Sequence, residues 1–130
     1  MARPKSSFPT PAELEVLQIL WVQGPSTVRE VLDALPRERA YTSVMSLLNV
    51  MTDKKLVTRQ LENRAFRYTA RFRAEQTQRK VLRDLLDRLF QGSATSLVAR
   101  LLEQARPTAQ ELDLIHDLIA EYKKQQEGRS

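Results

Sequence analysis

The chain has no cysteine and a single histidine, His116, among its 130 residues. Without thiols there is no disulfide scaffold, no thiolate metal site and no Cys nucleophile, and the composition suits a reducing cytoplasm. One imidazole alone does not complete a metal-ligand set, so His116 reads as a helix-surface or interface residue and no metal is expected. Glycine occurs three times, too seldom for a Gly-rich phosphate loop. No apolar run approaches the roughly 18 residues that cross a bilayer. The opening MARPKSSFPTP is basic but has no apolar centre, so neither a secretory leader nor membrane insertion is expected. With these classes removed there is no support for an enzyme and no cofactor to expect. Trp21 and Tyr41 read as core residues.

What the chain does have is charge in one place. The net charge is +5. Residues 1–73 carry 12 Lys/Arg against 7 Asp/Glu, and residues 74–130 carry 9 against 9. From Lys54 to Arg73 there are seven cations (Lys54, Lys55, Arg59, Arg64, Arg67, Arg71, Arg73) and one acid, Glu62. Such a patch attracts polyanions through counterion release, which points to nucleic acid; a merely solvated basic surface is the plainer alternative. At 42% hydrophobic and 28% charged the chain is an ordinary globular one, of one domain or two small ones.

The periodicity divides it further. Residues 1–9 read as a flexible basic arm. Thr10, Pro11 and Glu13 make a capping box with Pro at the first helical position, and Leu14, Leu17, Leu20 and Trp21 follow at helical spacing until Gln23-Gly24-Pro25. A second helix from Ser26 or Thr27 buries Val28, Val31, Leu32 and Leu35 and stops at Pro36. A third runs from about Tyr41 to Lys54. Two strand-like runs, Leu56–Leu61 and Ala65–Thr69, flank a tip at Glu62-Asn63-Arg64, where Asn63 tolerates positive φ. The expected fold is mainly α with a small two- or three-stranded β wing: a winged helix-turn-helix over residues 10–73. Residues 74–130 read as three helices separated by Gln91-Gly92-Ser93 and Arg106-Pro107, with a second capping box at Thr108 and Glu111. So small a helical unit is marginal alone, so Leu82, Leu85, Leu86, Leu89, Leu97, Leu101, Leu112, Ile115, Leu118 and Ile119 are expected to form a homodimer interface. Packing onto the first domain within one chain is the alternative.

On a helical wheel Val44, Leu47, Leu48 and Met51 make the buried stripe of the third helix. Thr42, Ser43, Ser46 and Asn49 lie on or beside the opposite face. Small polar side chains let a helix enter the major groove, and Asn can pair with adenine, so these four are expected to touch base edges. Thr42 has a competing role as N-cap. Lys54, Lys55, Arg59, Arg64 and Arg67 are expected on DNA phosphates, with Arg64 at the tip able to enter the minor groove. Both lysines also complement the dipole at the end of the helix.

The chain resembles the penicillinase repressor family (the BlaI, MecI and CopY type). The resemblance lies in Thr10 to Leu17 with Leu20-Trp21, Gly24-Pro25 to Leu32, Ala40 to Met45 with Leu47-Leu48-Asn49, Asn63 to Tyr68, and Leu89 to Ser93 with Ser96-Leu97-Val98. It implies a cytoplasmic bacterial repressor whose winged domain binds a palindromic double-stranded DNA operator and whose helical tail dimerises. It also implies relief by a membrane sensor metalloprotease that detects a β-lactam and cuts the dimerisation region. This sequence departs from the family at four places. Asn49-Val50-Met51 replaces Asn-Arg-Leu, Lys55 stands where glycine is usual, and the Asn-Phe scissile bond falls at Arg100-Leu101. The Cys-rich tail of the copper-responsive relatives is absent. The expected function is therefore a homodimeric transcriptional repressor. The rivals are a winged-helix assembly module with weak non-specific DNA binding, and a small-molecule-responsive regulator with an effector pocket near Trp21.

Overall fold

The computed structural model describes residues 8–129. In chain order it has α1 (Pro11–Gln23), β1 (Ser26–Thr27), α2 (Val28–Ala34), α3 (Tyr41–Asp53), β2 (Val57–Glu62), β3 (Ala65–Ala70), α4 (Ala74–Arg88), α5 (Ala94–Ala105) and α6 (Ala109–Glu127). Two compact units divide the chain, one ending at Leu82 and one starting at Arg83. The expected boundary after residue 73 coincides with the start of α4, and the first unit also takes in that helix's first half. Residues 1–7 of the expected arm lie outside the described residues.

The first unit is a winged helix. Its helices start where short polar side chains satisfy the free amides of a first turn. At α1 the Thr10 hydroxyl accepts from the Glu13 N–H at 3.2 Å, and Glu13 Oε1 accepts from the Thr10 N–H at 2.8 Å. Thr27 and Glu30 repeat this at α2, at 3.2 and 3.1 Å. Gly24, at φ +79°, turns the chain out of α1, a conformation open to glycine without a Cβ penalty. The end of α3 is a Schellman motif. The Lys55 N–H donates to the Thr52 carbonyl at 3.0 Å and the Leu56 N–H to the Met51 carbonyl at 2.9 Å. Lys55 sits between them at φ +63°, so a lysine holds the left-handed position that the resemblance assigns to glycine.

The core between the helices and sheet is built from Val16, Leu17, Leu20, Val28, Val31, Leu35, Val44, Leu48, Met51, Leu56, Val57 and Tyr68. Burying each large side chain contributes roughly 1.5–3 kcal/mol. Leu47 is only half-buried, at the edge of the stripe. Trp21 packs against the core and its Nε1 donates to the Phe72 carbonyl at 2.9 Å. Tyr41 corrects its sequence reading. It is 44% exposed, under the Arg29 guanidinium at 5.6 Å.

The sheet has the order β1-β3-β2, all antiparallel. In β2–β3, Val57 faces Ala70 and Glu62 faces Ala65. That register leaves a two-residue tip, Asn63 (φ +50°) and Arg64 (φ +70°), and positive φ at both positions matches the right-handed twist of a hairpin. Strand β1 pairs Ser26 with Tyr68 and Thr27 with Arg67, making the wing three-stranded.

The second unit contains the end of α4, then α5 and α6. Gln91 and Gly92, both at positive φ, lead out of α4, and the Ser93 hydroxyl caps α5 by accepting from the Ser96 N–H at 3.1 Å. The Thr108 hydroxyl caps α6 by accepting from Glu111 at 3.1 Å, without the return bond of a full capping box. No side chain of α4, α5 or α6 is fully buried. Among the described residues no helix is long and apolar enough to cross a membrane.

Candidate nucleic-acid interface

The outer face of α3 is free of the helix's own capping. Its N-cap is Ala40, whose side chain makes no cap bond. Thr42 therefore stands inside the first turn instead of closing it. Thr42, Ser43, Ser46 and Asn49 are all exposed. A groove runs beside this face, lined from α3 by Tyr41, Met45, Asn49 and Asp53 and from the wing by Arg59, Arg64 and Phe66.

Two side chains from different elements meet in that groove. The Arg59 NH1 of β2 donates to Asn49 Oδ1 of α3 at 3.0 Å. The same guanidinium lies 4.2 Å from the centre of the Phe66 ring of β3. A cation over an aromatic face is held electrostatically and its remaining N–H groups stay free to donate. The expected roles of Asn49 and Arg59 are thus joined: Asn49 spends its carbonyl oxygen on Arg59 and keeps its amide donors. Arg64 projects from the hairpin tip, exposed, at the rim of the same groove.

Lys54 and Arg67 require correction. The Lys54 side chain is 7% exposed, and its Nζ donates to Glu13 Oε1 at 2.6 Å and to the Phe8 carbonyl at 3.0 Å. Its charge is thus buried against a carboxylate and not presented at the surface. Arg67 is also taken up internally. Its NH1 donates to the Pro25 carbonyl at 3.0 Å and lies 3.4 Å from Glu30, while its Nε is 3.4 Å from Glu62. It ties β3 to the start of α2. The Thr27 N–H bonded to Glu30, then the Thr27 hydroxyl, then Arg67 hold the Glu30 carboxyl below the usual carboxylate range.

Lys55 is exposed, as expected. The sequence reading missed Arg29, Tyr41 and Phe66 as parts of this groove. Arg29 and Tyr41 form a pair across α2 and α3, and the only sequence signal for it was an aromatic at a helix start with a cation one element earlier. In the second unit Leu85, Leu89, Leu101, Leu112, Leu118 and Ile119 are 40–70% exposed. Leu82, in the first unit, is 51% exposed. Leu86, Leu97 and Ile115 are half-buried. Arg100 and Leu101 lie within α5, with Arg100 NH1 donating to both Glu103 carboxylate oxygens at 2.8 and 3.0 Å. His116 is exposed on α6.

The family described as penicillinase repressor matches residues 9–121. The penicillinase repressor of Bacillus licheniformis is 23% identical over 114 residues, which span 86% of this chain and 89% of that protein. A solved structure, that of a transcriptional regulator from Thermotoga maritima, is similar at a TM-score of 0.49 and 20% identity, over 93% of this chain and 78% of that one.

Proposed function

The chain belongs to the penicillinase repressor family, and from that premise we propose that this transcriptional regulator acts as a homodimer on a two-fold symmetric DNA operator. One observation carries the reading: the exposed polar face of α3 opens onto a groove where Asn49 and Phe66 hold Arg59, with Arg64 at its rim. In the major groove Thr42, Ser43 and Ser46 would meet base edges or phosphates. Arg59, oriented by Asn49, would donate to guanine or to the adjacent phosphate. Arg64 and Lys55 would contact the backbone. The family gives no reason to expect an enzyme.

Pairing is supported by the exposed apolar side chains of the second unit. Burying them against a second copy would fix two α3 helices at a spacing set by the DNA turn. Relief by proteolysis is the finer part of the proposal. A cut at Arg100-Leu101 would separate α6 from the winged unit and make the second half-site contact bimolecular again.

The test is selection of genomic fragments by the purified protein near physiological ionic strength. Enrichment of a two-fold symmetric motif supports the reading. Uniform, salt-labile recovery of all fragments overturns it in favour of a non-specific basic surface.

A further inference from the structure

The outer face of α3 is not wholly polar. Met45 and Val50 are 38% and 39% exposed there and flank Ser46 and Asn49 on the helical wheel. Neither belongs to the core, which takes Val44, Leu48 and Met51 from this helix. Met45 lines the groove shared with the wing, with Arg59 and Phe66 across from it. Val50 lies on the other flank of the face. The helix contains no lysine or arginine, and its one charged side chain is Asp53 at its last position. The cations of this interface come from the wing, with Arg59 held by Asn49 and Arg64 at the rim of the groove.

An apolar side chain has few partners in a major groove. Base edges there present donors and acceptors, and the C5-methyl of thymine is their one apolar group. Guanine is read by a bidentate cation, which α3 does not carry. A methionine or valine pressed on a donor or acceptor would strip its water without replacing the bond. Pressed on a methyl, it buries apolar area on both sides. The two side chains differ in stiffness: valine is restricted at χ1, while methionine adapts along an unbranched chain. They stand roughly 7.5 Å apart along the helix axis, so both reach bases of one half-site. We infer that Met45 and Val50 read the C5-methyl groups of thymine, so that α3 selects thymine at two positions of each half-site. This rests on the proposed operator reading and gives it a base preference.

The test removes a methyl and nothing else. Duplexes carrying the motif recovered from genomic fragments are made with deoxyuridine in place of thymidine, one position at a time. Their affinity for the full chain is read by fluorescence anisotropy. Uracil keeps every hydrogen-bonding group of thymine. At two positions in a half-site the exchange is expected to weaken binding about fourfold, the scale of one buried methyl group. Met45→Ala should abolish the penalty at one of these positions and Val50→Ala at the other, each leaving the remaining penalty in place. Both side chains stand outside the core, so both variants should fold as the parent does; if one does not, the uridine exchange on the parent still decides. Uridine tolerated at every thymine, a motif without thymine, or penalties that survive in both variants overturns the methyl readout and leaves the operator reading standing. Uniform recovery of all fragments, with no motif, overturns both.

Discussion

Two arginines on the same hairpin carry opposite assignments. Arg64 is exposed at the tip, while Arg67 is spent on Pro25, Glu30 and Glu62. Arg64→Ala is therefore expected to lower the slope of log affinity against log salt by about one, the signature of one lost phosphate contact. Arg67→Ala should leave that slope unchanged and lower the midpoint of thermal unfolding instead. A reduced slope in the Arg67 variant would return it to the DNA contacts. Lys54 is a further internal cation. Lys54→Met leaves Glu13 buried without its partner, a loss of about 3 kcal/mol by denaturant unfolding. The double variant with Glu13→Gln should recover part of it, and full additivity of the two losses would show that the pair is not coupled. Lys55 has the opposite sign. At φ +63° a glycine has no Cβ clash, so Lys55→Gly should raise stability by roughly 0.5–1 kcal/mol while weakening binding to DNA.

Among the elements, those with local chemistry were legible. The capping box of α1, the start of α2 at Thr27, the glycine after α1, the stripe Val44, Leu48 and Met51, and the wing strands follow from residues within a few positions of each other, whereas the box expected at Thr108 lacks its return bond. Each expected strand came within a residue of its ends, because an Asn-containing tip between alternating runs fixes the register locally. Strand β1 was not legible as an element. It is two residues long and exists only because Ser26 and Thr27 meet Tyr68 and Arg67 some forty positions later. The same holds at the candidate site. The polar face of α3 could be read from a wheel, but the burial of Lys54 depends on Glu13, 41 positions away, and the clasp on Arg59 depends on Phe66 lying diagonal to it across the sheet. Charge clustering shows that cations are many; it does not show which are already paired. At this scale Phe66→Ala should loosen Arg59 without touching the fold's core, because Phe66 is 39% exposed. The expected outcome is weaker discrimination between operator and non-operator fragments, with the salt slope retained. A variant as selective as the parent would remove the clasp from recognition.

For the whole molecule, the two units present contrasting surfaces: one has a closed core, the other shows rows of leucine and isoleucine to solvent. If these rows meet a second copy, Leu118→Lys, at a position 70% exposed, should give a 15.0 kDa species in sedimentation at micromolar concentration. The parent should sediment at about twice that mass if two copies pair. The winged unit of the variant should keep its circular dichroism and lose operator affinity through the missing second half-site. A parent that sediments as a single chain would end the pairing argument. The absence of any fully buried side chain in α5 and α6 also bears on dosage. When a folded surface exists only in pairs, its abundance at low occupancy follows the square of the number of chains, so halving synthesis would cut the paired form about fourfold. If the chain acts on DNA only in pairs, a cell growing faster than it makes this protein would relax that control by dilution alone.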